Sequence, residues 1–114
     1  MIAVIFELEP AEGQETAYLD EAAALKALVE AAEGFISVER FQSLTTPGKL
    51  LSLSFWEDEA AVAKWRQKTA HRAAQSKGRG GIFAGYRLRV AQVLRDYGMD
   101  DRENAPQDSR ATHG

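Results

Sequence analysis

Apolar residues recur along this chain with two different periods. From Met1 to Leu8, the side chains Ile2, Val4, Phe6 and Leu8 alternate with Ala3, Ile5 and Glu7, the period-two pattern of a half-buried strand. Pro10 and Gly13 end it. From Gln14 to Glu33 an alanine-rich run places Tyr18, Ala22, Leu25, Val29 and Ala32 at helical spacing, so this stretch is predicted to be an amphipathic helix with Gly34 as its C-terminal cap. Strands are predicted at Phe35 to Ser43 and Leu50 to Trp56, joined as a hairpin through Thr45-Thr46-Pro47-Gly48-Lys49. Glu57-Asp58-Glu59 puts negative charge where a helix begins, and residues from Asp58 to Ser76 favour helix. The glycines of Lys77-Gly78-Arg79-Gly80-Gly81 make a loop, because each costs about 1 kcal/mol relative to alanine inside a helix. Alternation returns from Tyr86 to Arg95, a fourth strand.

Strand, helix, strand, strand, helix, strand is the order of the ferredoxin-like split unit, an α+β fold with an antiparallel sheet. Right-handed crossovers put the first and third strands in the middle and both helices on one face. The other face is expected to carry Ala3, Ile5, Phe35, Phe41, Trp56, Ala91 and Val93 beside Glu7, Glu9, Glu39, Arg87 and Arg89. An apolar face of that size marks an interface, so a homodimer packed sheet against sheet is expected. Residues 1–97 form the domain. Residues 98–114 are polar and are expected to be a mobile tail, since they offer little to offset an ordering entropy of roughly 1–2 kcal/mol per residue.

Charge sharpens this picture. The net charge of −3 on 114 residues hides a segregation: residues 1–59 hold 12 acids and 3 bases, residues 60–95 hold no acid and 9 bases, and residues 96–114 hold 5 and 2. Either the middle segment attracts anions or it pairs with the acidic first half, with Glu7 and Glu9 facing Arg87 and Arg89 across neighbouring strands. A pI near 5.4 argues against a nucleic-acid partner. There is no cysteine, so no disulfide, thiolate metal site or cysteine nucleophile, and the cytoplasm is the expected compartment. No apolar run approaches the roughly 18 residues that span a bilayer, so no membrane partner is expected.

Several enzyme classes fail on residues alone. His71 and His113 are the only histidines, so no multi-histidine metal site can be assembled. Gly78 and Gly80 follow a helix rather than opening one, and Phe83 stands where a dinucleotide-binding fingerprint needs its last glycine. No Gly-x-Ser-x-Gly elbow exists.

What remains is a strand ending in Ser54-Phe55-Trp56-Glu57-Asp58, a helix that opens with Glu59-Ala60-Ala61 and carries Trp65 and then His71, and a closing strand with Tyr86-Arg87-Leu88-Arg89-Val90. Over residues 1 to 97 this resembles the antibiotic biosynthesis monooxygenase family. The resemblance implies a dimeric α+β barrel. It also implies a small oxygenase that uses no cofactor to oxidise a phenolic, quinol or anthrone-like small molecule with O2. Such a protein need only bind the ring, remove a proton and stabilise the anion. On that reading Trp65 stacks on the substrate, His71 exchanges the proton because its ordinary pKa is about 6.5, Arg87 or Arg40 steadies the anion, and Trp56 and Tyr86 complete the binding site.

Each residue also suits a plainer role. Trp65 shares a helix stripe with Ala61, Val62 and Thr69, a spacing as suited to core as to a cleft wall. His71 follows six residues later, about 240° further round an ideal helix, alongside Lys64, Gln67 and Gln75. Trp56 fits a hairpin end, an interface or a pocket rim, and Tyr86 lies on the helix-facing side of its strand. Two other functions belong to the same resemblance: haem degradation, and a non-catalytic ligand-binding or stress-associated dimer. Haem-degrading members resemble one another in an asparagine on the first strand, a tryptophan on the second helix and an axial histidine beyond it. This chain matches the tryptophan with Trp65, has no asparagine in its first strand, and has Gln75 nearest the histidine position, which makes haem a poor fit.

Overall fold

The computed structural model describes residues 1–75 and 81–113. Its elements are β1 (Ile2–Pro10), α1 (Glu15–Glu30), β2 (Phe35–Gln42), β3 (Leu50–Trp56), α2 (Glu59–Gln75), β4 (Phe83–Gln92) and α3 (Gln107–His113). The sheet order is β2-β3-β1-β4, every neighbouring pair antiparallel. This is the ferredoxin-like βαββαβ arrangement, with β1 and β3 central as the crossover rule requires. The expected loop from Lys77 to Gly80 lies outside the described residues. Among those described, no helix is long and apolar enough to cross a membrane.

Local chemistry sets the boundaries. Asp58 caps α2 by accepting a hydrogen bond from the Ala61 amide at 2.8 Å. α1 ends at Glu30 with Ala31 as its right-handed C-cap, short of the expected helix to Glu33 and cap at Gly34; Gly34, at φ +79°, instead turns the chain into β2, and its carbonyl accepts from the Glu57 amide at 2.8 Å. A β-carbon at Gly34 would sit 2.5 Å from that of Ala61, so the turn between α1 and β2 approaches the start of α2 to a distance only glycine allows. The hairpin closes with Ser43, whose hydroxyl accepts from the Thr46 amide at 3.0 Å.

The main core lies between the helices and the sheet: Ile2, Val29, Trp56, Ala61 and Val62, with Val4, Ala32, Phe35, Val38 and Trp65 packed against them. Trp56 is 2% exposed, with the Phe35 ring edge-on at 5.3 Å. This corrects the expected faces. Trp56 and Phe35 belong to the helix side, because Trp56 pairs directly with Ile2 and with Phe35. Phe41 does lie on the open face, opposite Leu51. The parity of β2 changes because its pairing slips between Phe35 and Ser37, a bulge that leaves Ile36 out of the ladder.

The open face carries Ala3, Ile5, Leu51, Leu53, Phe55 and Phe41, with Ala91, Arg87 and Arg89 on β4. The charge pairing there is diagonal: Glu7 accepts from Arg89 at 2.9 Å and has Lys49 at 3.9 Å, while Glu9 faces Gly85. Beyond β4 the chain forms local structure that its polar composition does not announce. It consists of α3, a buried Ala105 and an Arg102 guanidinium over the Tyr97 ring at 5.2 Å.

Candidate active-site cleft

On the helix side of the sheet, α2 sets Trp65 on Trp56 of β3, and α1 sets Tyr18 against Leu8 of β1 and Phe83 of β4. Between these contacts the sheet is left partly unroofed along β4. Val4 and Phe6 on β1 and Ser52 and Ser54 on β3 are half-buried there. On β4, Tyr86, Leu88 and Val90 face the same way, because they pair with Leu8, Phe6 and Val4, and they are 68%, 51% and 43% exposed. Apolar strand residues standing open under a helix layer define a cleft rather than a closed core.

Its walls are aromatic. Trp65 descends from α2 onto Trp56, ring centres 6.2 Å apart and planes tilted by 33°, and the Trp56 indole donates to the Ser54 hydroxyl at 2.9 Å. At the other end, Phe6 meets Phe83 at 5.8 Å and Tyr86 at 5.7 Å, and Tyr18 meets Phe83 at 5.8 Å. Small serines at 52 and 54 leave room between these groups where β3 would otherwise carry large side chains. Arg40 projects to this side from β2, opposite Ser52, and its Nε donates to the Tyr18 hydroxyl at 3.4 Å.

The expected site residues therefore divide. Trp65, Tyr86 and Arg40 border the cleft, and Trp56 lies beneath it as buried support. Arg87 stands on the opposite face of the sheet, level with Glu7, so within one chain it does not meet Trp65. His71 belongs to α2, six residues beyond Trp65 and ~9 Å further along the axis; its side chain lies outside the described residues. Sequence reasoning missed Tyr18, Ser52 and Ser54. The alternation of Leu50-Leu51-Ser52-Leu53-Ser54-Phe55-Trp56 contains the signal, because the serines share a side with Trp56.

On the open face, Arg89, which donates a hydrogen bond to Glu7, and then the charge of Lys49 hold the Glu7 carboxyl below its usual 4.5. β1 presents Ile2, Val4, Phe6 and Leu8 to the cleft, and no amide side chain.

The family model for antibiotic biosynthesis monooxygenases matches residues 1–77, and the chain belongs to that family. Among particular relatives, the jasmonate monooxygenase ABM of Pyricularia oryzae is 46% identical over 93 residues, covering 82% of this chain and 43% of that protein. The chain thus spans less than half the length of that relative. The Bacillus subtilis protein YqjZ is 32% identical over 102 residues, 90% of this chain and 87% of its own. Two solved structures share the fold. The heme-degrader MhuD from Mycobacterium tuberculosis, with two hemes bound, superposes with a TM-score of 0.68 at 19% identity, over 86% of this chain and 100% of that one. PA3566 from Pseudomonas aeruginosa superposes at 0.67 and 22% identity, over 82% and 93%.

Proposed function

We propose that the chain is a monooxygenase that works without a prosthetic group, oxidising an electron-rich small ring compound with O2 in the helix-side cleft. The observation that carries this reading is the half-roofed aromatic trough between α2 and β4, with Trp65 on one wall and exposed Leu88 and Val90 on the other. Membership of the family and the 46% identity to a jasmonate monooxygenase support it. Trp65 stacks on the ring. His71, further along the same helix, accepts the proton, because an imidazole titrates near neutral pH. The resulting anion gives one electron to O2. The superoxide and substrate radical combine into a peroxide, which loses water to leave a carbonyl. A CH2 and O2 thus become C=O and H2O, with no metal needed to carry electrons.

The working unit is a homodimer. Ile5, Leu51, Leu53 and Phe55 on the open face form an apolar surface that a second sheet would cover. The direct test is oxygen uptake with two anthrones that differ in their ring substituents. The wild type is expected to consume one O2 per substrate above the buffer rate. Trp65→Phe, which keeps a ring but loses area, is expected to raise KM several-fold, and His71→Ala to lower kcat by about 10²-fold or more. Uptake equal to buffer with both substrates would refute the reading, as would a His71→Ala variant as fast as the wild type.

A further inference from the structure

Arg40 is the one charged side chain that the four strands send to the helix side of the sheet among the described residues. Its neighbours there are Val38, Ser52 and Phe6, and among the described residues it has no acidic partner. The hydrogen bond it makes there uses Nε, donated to Tyr18, a buried phenol. The guanidinium is thus anchored at its inner nitrogen, and among the described residues neither terminal nitrogen has a partner at the edge of the apolar trough. Arginine forms its strongest and most directional contacts when those two nitrogens meet a carboxylate side by side.

Resting on the cleft reading above, we propose that the substrate carries a carboxylate, which Arg40 receives through its two terminal nitrogens while Tyr18 holds the guanidinium in place. Ser52, directly across from Arg40 on β3, stands where its hydroxyl can donate to the same group. Arg40 pairs with Ser52 and Trp56 lies four residues further along β3, a separation of ~13 Å. The ligand therefore places its apolar ring toward Trp65 and its acid group toward Arg40. Arg40 is a specificity-determining residue in this scheme and Tyr18 a positioning residue.

Equilibrium binding, followed by quenching of tryptophan fluorescence, tests this with three probes that share one ring: 1-naphthaleneacetic acid, its methyl ester and 1-naphthylmethylamine. The wild type is expected to bind the acid about tenfold or more tightly than the ester, and the amine more weakly than the ester. In Arg40→Met the acid is expected to lose its advantage while ester affinity stays within twofold. Tyr18→Phe is expected to keep part of the preference, since the guanidinium loses its anchor but not its charge. Equal binding of acid and ester by the wild type would overturn the carboxylate assignment and leave the cleft intact, and so would an acid preference that survives Arg40→Met. Failure of all three probes to bind would overturn the cleft itself. The ranking on the unmodified protein decides the matter even if a variant does not fold.

Discussion

Replacing Gly34 with alanine imposes two separable costs. The residue sits at φ +79°, where a β-carbon costs roughly 1–2 kcal/mol in any L-residue other than glycine. The new methyl would also lie 2.5 Å from the Ala61 β-carbon, well inside ordinary contact, and relieving such overpacking costs about 1–3 kcal/mol. The expected loss is therefore roughly 2–5 kcal/mol, or a drop in Tm of about 8–20 °C at about 4 °C per kcal/mol. Gly48 provides the control: it has φ +82° but no atom within 4 Å of a built β-carbon, so Gly48→Ala is expected to cost only the backbone part, about 4–8 °C. Thermal unfolding by circular dichroism on both variants, with Ala61→Gly alone and combined with Gly34→Ala, closes a double-mutant cycle. Ala61→Gly should destabilise the wild type but recover stability in the Gly34→Ala background. If the two glycine variants melt within about 3 °C of each other, or the cycle is additive, then the Gly34 turn and α2 do not meet as closely as the structure indicates.

The homodimer is expected to weigh about 25 kDa, twice the 12.6 kDa chain, and Leu53→Glu, which sets a charge in the middle of the open face beside Ile5 and Glu39, should return it to 12.6 kDa by light scattering. A wild type of 12.6 kDa at micromolar concentration would contradict the interface. Because Arg89 and Lys49 depress the Glu7 pKa below 4.5, the folded state gains from the ionised carboxylate above the unfolded value and loses that gain as pH falls through the folded one. The stability gap between wild type and Glu7→Gln, read from urea midpoints, should thus be steady from pH 7 to about 5 and shrink below 4.5; a gap that does not narrow in acid would rule out the pairing.

The order and nature of the six main elements were legible because each period is sustained: two in β1 and β4, helical in α1, with Asp58 as an explicit start signal for α2; Gly34 marks the turn after α1 but not its last residue, which is Glu30. The faces were less so. In β3, Leu51, Leu53 and Phe55 make one side more apolar than the side of Ser52, Ser54 and Trp56, so composition does not tell which side meets the helices; the partner strand decides. In β2, Phe35 and Phe41 share a parity on paper but point to opposite sides, because a bulge has no marker in Phe35-Ile36-Ser37-Val38. The Tyr18–Arg40 contact joins positions 22 apart through the packing of α1 on the sheet, which no local pattern encodes. Arg87 and Arg40 looked interchangeable as cations in the chain and are separated by the thickness of the sheet.

The slipped residue in β2 has an evolutionary consequence. Removing Ile36 would leave a regular ladder in which Phe35, Val38 and Arg40 keep their present sides, so the chain can shorten by one there and its pocket lining would not change. The same deletion in the middle of β3, which has no such slack, would turn every side chain on one flank of the cut inside out, exchanging serines for leucines in the trough. Length variation among homologues should therefore gather at the start of β2 and be purged from β3.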